Sequence, residues 1–180
     1  LQSRGLGDVY KRQPYHREPI TYEAPYLDNL PTAPREKFAA NIAAIQKLKE
    51  IEQRVANGGS PAFEDEQKIL AQYTGWGGLS DAFDPNKSAW SNEYSQLKAA
   101  LSESEYEAAR SSTLTAFYTP ATVIHPIYRA LERFGVKGGK ILEPSMGTGA
   151  FLAHGHFGSS DAKFYGVELD SITGRISKQL

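Results

Sequence analysis

The stretch that most constrains this chain is Lys140-Ile141-Leu142-Glu143, the glycine-bearing turn Pro144-Ser145-Met146-Gly147-Thr148-Gly149, the apolar Ala150 to Ala153, and then Phe164-Tyr165-Gly166-Val167-Glu168. The two flanking runs read as short buried strands, and the turn between them opens a helix. A helix is expected from Ser171 onward, and another upstream, where Thr119-Pro120 caps and starts a segment with Val123, Ile124, Ile127, Tyr128, Leu131 and Phe134 on its apolar side and Gly135 at its end. The order is therefore helix, strand, helix, strand, helix. Strands separated by helices pair in parallel, with the helices on the sheet faces, so the fold class is α/β.

The same stretch carries chemistry. Gly147 and Gly149 let the backbone turn tightly beneath a ligand without a Cβ in the way, and Glu168 lies 19 positions after Gly149. That spacing suits a carboxylate accepting two hydrogen bonds from a ribose diol. The full GxGxxG fingerprint is not met, because position 152 is Leu, which argues against a dinucleotide held through its pyrophosphate. A Walker loop is excluded as well, since no Gly-Lys-Ser or Gly-Lys-Thr follows.

Upstream the pattern is helical. Phe38, Ile42, Ile45, Leu48, Ile51 and Val55 recur at steps of three and four after Pro34, and Asn57-Gly58-Gly59 supplies a stop. Ser60-Pro61 reads as the cap and first position of a second helix running through Ile69, Leu70 and Tyr73. Gly75-Trp76-Gly77-Gly78 reads as a packing turn, and Ser102-Glu103-Ser104-Glu105 as a capping box. Residues 35–112 are thus expected to form a mostly helical module, with residues 113–180 the start of the α/β part. Residues 14–34, rich in proline and tyrosine, read as an extended lead-in. Residues 1–13 read as an adapter-like artefact or disordered tail, and the stop at Lys178-Gln179-Leu180 falls inside an expected helix, so truncation is expected at both ends.

Composition narrows the class. No apolar run approaches the roughly 20 residues that span a bilayer, and no secretory pattern opens the chain, so a cytoplasmic protein without a membrane partner is expected. The absence of cysteine excludes disulfides, thiolate zinc sites and a cysteine nucleophile. Formal charge is −1, divided as +2 over residues 1–13, −5 over 14–115 and +2 over 116–180. No segment is a basic patch of the kind that grips DNA phosphates.

Glu143-Pro144-Ser145-Met146-Gly147-Thr148-Gly149-Ala150-Phe151, preceded by Ala116-Phe117-Tyr118-Thr119-Pro120 and followed by Tyr165-Gly166-Val167-Glu168-Leu169-Asp170, resembles the ordered motifs of class I methyltransferases that use S-adenosylmethionine, in the variant acting on DNA adenine. Leu30-Pro31-Thr32-Ala33-Pro34-Arg35-Glu36-Lys37, Tyr73-Thr74-Gly75-Trp76-Gly77-Gly78-Leu79 and Leu169-Asp170-Ser171-Ile172-Thr173-Gly174-Arg175-Ile176 narrow the likeness to the helicase–methyltransferase fusions of phages, plasmids and conjugative elements. The resemblance covers residues 30–180. It implies a partial Rossmann-like sheet behind the helical module, with S-adenosylmethionine as cofactor. Thr119, with Tyr118, would hold the methionine end, and Glu143, Pro144, Ser145, Gly147 and Gly149 the cradle. Phe151 would pack behind the loop, Glu168 would bind the ribose hydroxyls, and Leu169 would press on the adenine.

The resemblance assigns no catalytic residue and no metal ligand. The Asn/Asp-Pro-Pro-aromatic tetrapeptide that holds a flipped base in that family is missing, because no two prolines are adjacent. The parent is expected to be an adenine-specific DNA methyltransferase meeting DNA through its full length, with ATP used only by a helicase region beyond this chain, and the fragment is expected to be inactive. Two alternatives stand beside it: a non-catalytic scaffold of a mobile element, and a methyltransferase acting on RNA or protein. Elsewhere, His154 and His156 read as an exposed loop pair, His125 as surface or packing, and Glu64-Asp65-Glu66 as the solvated first turn of a helix.

Overall fold

The computed structural model describes residues 29–155 and 162–180. The expectations for residues 1–28 and for His156 lie outside them. In chain order the helices and strands are α1 (Pro34–Ala56), α2 (Glu64–Leu70), α3 (Ser91–Ala100), α4 (Glu103–Ser111), α5 (Ala121–Arg133), β1 (Gly139–Glu143), α6 (Ala150–Ala153), β2 (Ala162–Gly166) and α7 (Ser171–Ser177), with single 3-10 turns at Ser80–Phe83, Ser88–Trp90 and Ser112–Leu114. Among the described residues no helix is long and apolar enough to cross a membrane.

The α1 helix forms where the three- and four-step apolar pattern demands, with Pro34 at its first position, and its stripe of Phe38, Ile42, Ile45, Leu48 and Ile51 is buried. That stripe packs on Tyr73, Trp76, Leu79, Phe83, Leu97 and Tyr106, and on Ile172 and Ile176 of α7. At the centre, the Trp76 indole meets Phe83 edge-on at 5.4 Å and Phe38 at 6.1 Å. Asn41, fully buried on α1, holds the adjoining turn: its Nδ2 donates to the Gly75 carbonyl at 2.7 Å and its Oδ1 accepts the Thr74 N–H at 2.9 Å. Both exposed ends of that turn's backbone are thereby satisfied inside the core.

The second helix starts later than Ser60-Pro61 would have it. Arg54, at the end of α1, takes the Ser60 carbonyl on Nε at 2.9 Å and the Pro61 carbonyl on Nη2 at 3.1 Å. With those carbonyls captured, Ser60 and Pro61 stay outside the helix, and α2 opens at Glu64, ending before Tyr73. Nor is its whole first turn solvated. Glu66 is buried, receives Arg54 through both oxygens at 2.8 and 2.6 Å, and accepts the Phe63 N–H at 2.9 Å. The capping box at Ser102 forms as its sequence requires, with Ser102 Oγ accepting the Glu105 N–H and Glu105 Oε2 accepting the Ser102 N–H.

Strands β1 and β2 pair in parallel, Ile141 opposite Phe164 and Glu143 opposite Gly166. The structure is thus mixed, largely helical, with a small parallel sheet. The strands are not buried on both faces as their composition suggests: Leu142 is 63% exposed. One sheet face meets Ile124 and Tyr128 of α5 together with Phe151, while the other is uncovered among the described residues. A two-strand sheet is also too narrow to cover the full apolar side of α5, so Val123, Ile127 and Phe134 remain exposed. That helix begins at Ala121 with Pro120 extended before it and no side-chain cap, one residue later than Thr119 as a cap would place it. Strand β2 ends at Gly166 rather than Glu168, although Val167 still donates to the Glu143 carbonyl at 2.9 Å.

Two stability outcomes follow from this packing. Asn41→Ala leaves the Thr74 N–H and Gly75 carbonyl buried without partners, at about 1–3 kcal/mol each, so the urea midpoint should fall with the slope unchanged. The Arg54 guanidinium, hydrogen-bonded to Glu66, holds its carboxyl at about 2 against an ordinary 4.5. Because the folded value lies below the unfolded one, this stabilisation is complete above the unfolded value and is lost as pH falls through it toward about 2. Urea titrations across that acid range should show a shallower loss of stability for Glu66→Gln than for wild type.

Candidate ligand-binding site

A cavity of ≈ 460 Å³ opens between the helical part and the glycine loop, within the range of about 300–1,000 Å³ usual for small-molecule sites. One wall is Tyr73, Gly75, the end of α4 at Ala108, Ser111 and Ser112, and the irregular segment Thr115 to Tyr118. The other is Ser145, Gly147, Glu168, Leu169, Asp170 and Thr173.

Glu168 organises the loop side. Its Oε2 accepts the Gly147 N–H at 2.9 Å and its Oε1 accepts the Asp170 N–H at 2.8 Å. One carboxylate thus ties the glycine loop to the segment entering α7, and each oxygen keeps acceptor capacity for a further donor. The loop is held from beneath as well, by Met146 N–H to the Val167 carbonyl at 3.0 Å and Ser177 Oγ to the Gly147 carbonyl at 3.0 Å. Gly147 needs to be glycine on two counts: its φ is +57°, and a Cβ there would stand 3.3 Å from the Tyr118 ring. At Gly166 a Cβ would fall 1.9 Å from the Met146 sulfur, so that side chain would have to move.

Tyr118 is the floor. Its hydroxyl lies 3.3 Å from Thr173 Oγ1, which in turn donates to Asp170 Oδ1 at 2.7 Å. Burial pushes the Tyr118 hydroxyl well above its usual range, and burial beside Tyr118 and Asp170 does the same to Tyr73. Both phenols stay protonated and neutral. Among the described residues the cavity is lined by two acidic side chains, Glu168 and Asp170, with hydroxyl groups and no Lys, Arg or His. Such a site favours a ligand that is cationic or rich in hydroxyl donors and disfavours phosphates.

Of the residues singled out from sequence, Tyr118, Ser145, Gly147, Glu168 and Leu169 line this cavity, Leu169 with 98% of its surface exposed. The other five stand around it. Glu143 accepts the Ser145 N–H at 3.1 Å, Pro144 lies in the turn, and Gly149, at φ +93°, is the N-cap of α6. Phe151 packs behind the loop against Tyr128, whose hydroxyl donates to the Phe151 carbonyl at 2.6 Å. Thr119 precedes α5 and is not among the lining residues.

Sequence reasoning missed the opposite wall, Tyr73, Gly75 and the end of α4, and it missed Asp170 and Thr173. Asp170 had a local signal, a carboxylate one residue before a helix start, and it does cap α7 by accepting the Thr173 N–H at 2.7 Å. The α4 wall had none. One histidine also differs from expectation. His154 is 4% exposed, with its Nδ1 3.0 Å from Nε2 of His125, because α6 lays it against α5 instead of into solvent. No group of three potential metal ligands occurs among the described residues.

Gly147→Ala should cost about 1–2 kcal/mol from the left-handed backbone alone, plus whatever the Tyr118 ring exacts at 3.3 Å. Gly58→Ala, at φ +83° with nothing within 4 Å, pays only the backbone part. Urea denaturation of the two variants should rank Gly147→Ala as the less stable.

Comparison with known proteins finds no matching family and no matching solved structure. A curated relative does align: Defense against restriction protein B of Escherichia phage P1, 27% identical over 165 residues, which are 92% of this chain and 6% of that protein. The chain thus spans 6% of the length of the relative it matches. This overturns the expectation of an adenine-specific DNA methyltransferase fused to a helicase: the relative is a protein of defence against restriction, and neither activity finds support. Physically, the motifs behind that expectation do not converge on one site: residues 116–118, 145, 147 and 168–170 border this cavity, whereas Leu30, Pro31 and Lys37 border another. The link to a phage, and so to a mobile element, agrees with the relative's source. What this chain is similar to, therefore, is a stretch of a phage protein that defends against restriction.

Proposed function

We propose that this chain binds S-adenosylmethionine in the cavity between the Gly75 turn and the Gly147 loop, and does so as part of a larger phage-type protein that protects DNA against restriction. The observation that carries the reading is the lining itself: two carboxylates, and no cation among the described residues, around a left-handed glycine loop. S-adenosylmethionine brings a sulfonium and an ammonium, which such a site attracts, and a ribose diol that can donate to Glu168. Leu169 offers the exposed apolar surface for the adenine, and the Tyr118 and Thr173 hydroxyls face the polar end of the ligand. Adenine nucleotides bearing phosphates are excluded by the same charges. The parallel β1–β2 pair is read as part of a larger Rossmann-like sheet. Contact with DNA is assigned to the rest of the protein, since this chain has no basic patch.

Isothermal titration of the 180-residue chain should detect S-adenosylmethionine binding and none of ATP. Glu168→Ala removes charge-assisted hydrogen bonds of about 1.5–3 kcal/mol, so affinity should fall roughly tenfold or more. Absence of binding by wild type at millimolar ligand, or equal binding of ATP, would sink the reading.

A further inference from the structure

The α7 helix has two faces that do different things. Thr173 lines the cavity and meets the Tyr118 hydroxyl at 3.3 Å, while Ser177, one turn on, holds the loop beneath it, its Oγ donating to the Gly147 carbonyl at 3.0 Å. Arg175 lies two residues from each, roughly 200° around the helix, and points to the helical part. Its Nε and Nη2 donate to the two oxygens of Glu52, both at 2.7 Å, and its Nη1 donates to Glu105 Oε1 at 2.7 Å. Glu105 is itself fixed, its Oε2 accepting the Ser102 N–H at 2.8 Å and Lys49 Nζ at 3.0 Å.

Seven residues are too few to form a stable helix alone, so tertiary contacts set where α7 sits. Ile172 and Ile176 anchor it in the core, but apolar burial is non-directional and fixes depth more than rotation. The planar guanidinium, engaging two carboxylates at once, is the charge-assisted directional contact on the side away from the cavity. Rotation of α7 about its axis carries Thr173 and Ser177 with it, and with them the floor and the loop of the cavity.

We propose that Arg175 is a positioning residue of the ligand site: held by Glu52 and Glu105, it sets the rotation of α7 and thereby places the Gly147 loop and Tyr118 without touching the ligand. As a statement about ligand affinity this rests on the reading that the cavity takes S-adenosylmethionine. As a statement about the loop it stands alone.

The test compares wild type, Arg175→Gln, Arg175→Lys and Ile176→Val in the 180-residue chain. Three quantities are measured: S-adenosylmethionine affinity by calorimetry, amide hydrogen exchange at Gly147 by NMR, and melting temperature. Arg175→Gln is expected to bind at least tenfold more weakly and to exchange the Gly147 amide at least tenfold faster. Arg175→Lys, which keeps the charge and loses the fork, should recover less than half of either effect on a logarithmic scale. Ile176→Val, which loosens the same helix from its core side, should lower the melting temperature while leaving affinity and Gly147 exchange within twofold. Wild-type affinity and exchange in Arg175→Gln would overturn the proposal, as would equal changes in Ile176→Val. Should wild type bind no S-adenosylmethionine, the ligand reading falls and Gly147 exchange alone decides the positioning role. Should Arg175→Gln not fold, Glu105→Gln, which removes one arm of the fork, takes its place in the same comparison.

Discussion

The structure turns on one ring held between two glycines. Tyr118 lies where a Cβ on Gly75 or on Gly147 would stand 3.3 Å from it, and both glycines have left-handed backbones, at φ +69° and +57°. The first belongs to the turn fixed by Asn41 and the second to the loop fixed by Glu168. A Cβ at either place would require the ring to give by a few tenths of an ångström. A neighbouring contact is tighter, for a Cβ on Gly77 would fall 2.2 Å from the Ala116 carbonyl, which accepts the Gly77 N–H. Close approach between the turn at 75–78 and the segment at 116–118 therefore builds one wall of the cavity.

Charge is distributed to suit that arrangement. The strong ion pairs lie away from the cavity, on the helices that support it. Arg54 clasps Glu66 at the α1–α2 junction, and Arg175 joins Glu52 and Glu105 where α7 meets α1 and α4. Burial pushes the Glu105 carboxyl up, but Arg175, the Ser102 N–H and Lys49 together outweigh it and hold the group at about 2. With cations committed there, the carboxylates of Glu168 and Asp170 face the cavity with backbone and hydroxyl donors as their partners. A site neutralised by dipoles rather than by lysine or arginine retains its attraction for a positive ligand.

Legibility from sequence followed the range of the interaction. The long apolar stripe of α1, the capping box at Ser102, the packing turn around Trp76 and the glycine loop after β1 are all signalled within a few residues, and each forms. Where a distant side chain intervenes, local reading goes astray. Arg54 removes Ser60 and Pro61 from the helix they appear to start, and α5 turns His154 from a surface residue into a buried one. The functional expectation erred in a comparable way. The motifs around Tyr118, Gly147 and Glu168 describe one ligand cavity, and extending them to methyl transfer and to a helicase went past the residues present.

The sequence by itself determined α1, the capped start of α4, the alternation of helices and strands after Thr119, the glycine loop and the carboxylate at 168, but not α3, because helix periodicity, capping and backbone freedom are properties of neighbouring residues. Only the tertiary structure decided that a third of the residues lining the cavity are Tyr73, Gly75 and the end of α4, and that Arg175 binds α7 to two glutamates 123 and 70 positions away. Contacts across such separations depend on where whole helices pack, and a pattern confined to one turn of helix carries no record of them.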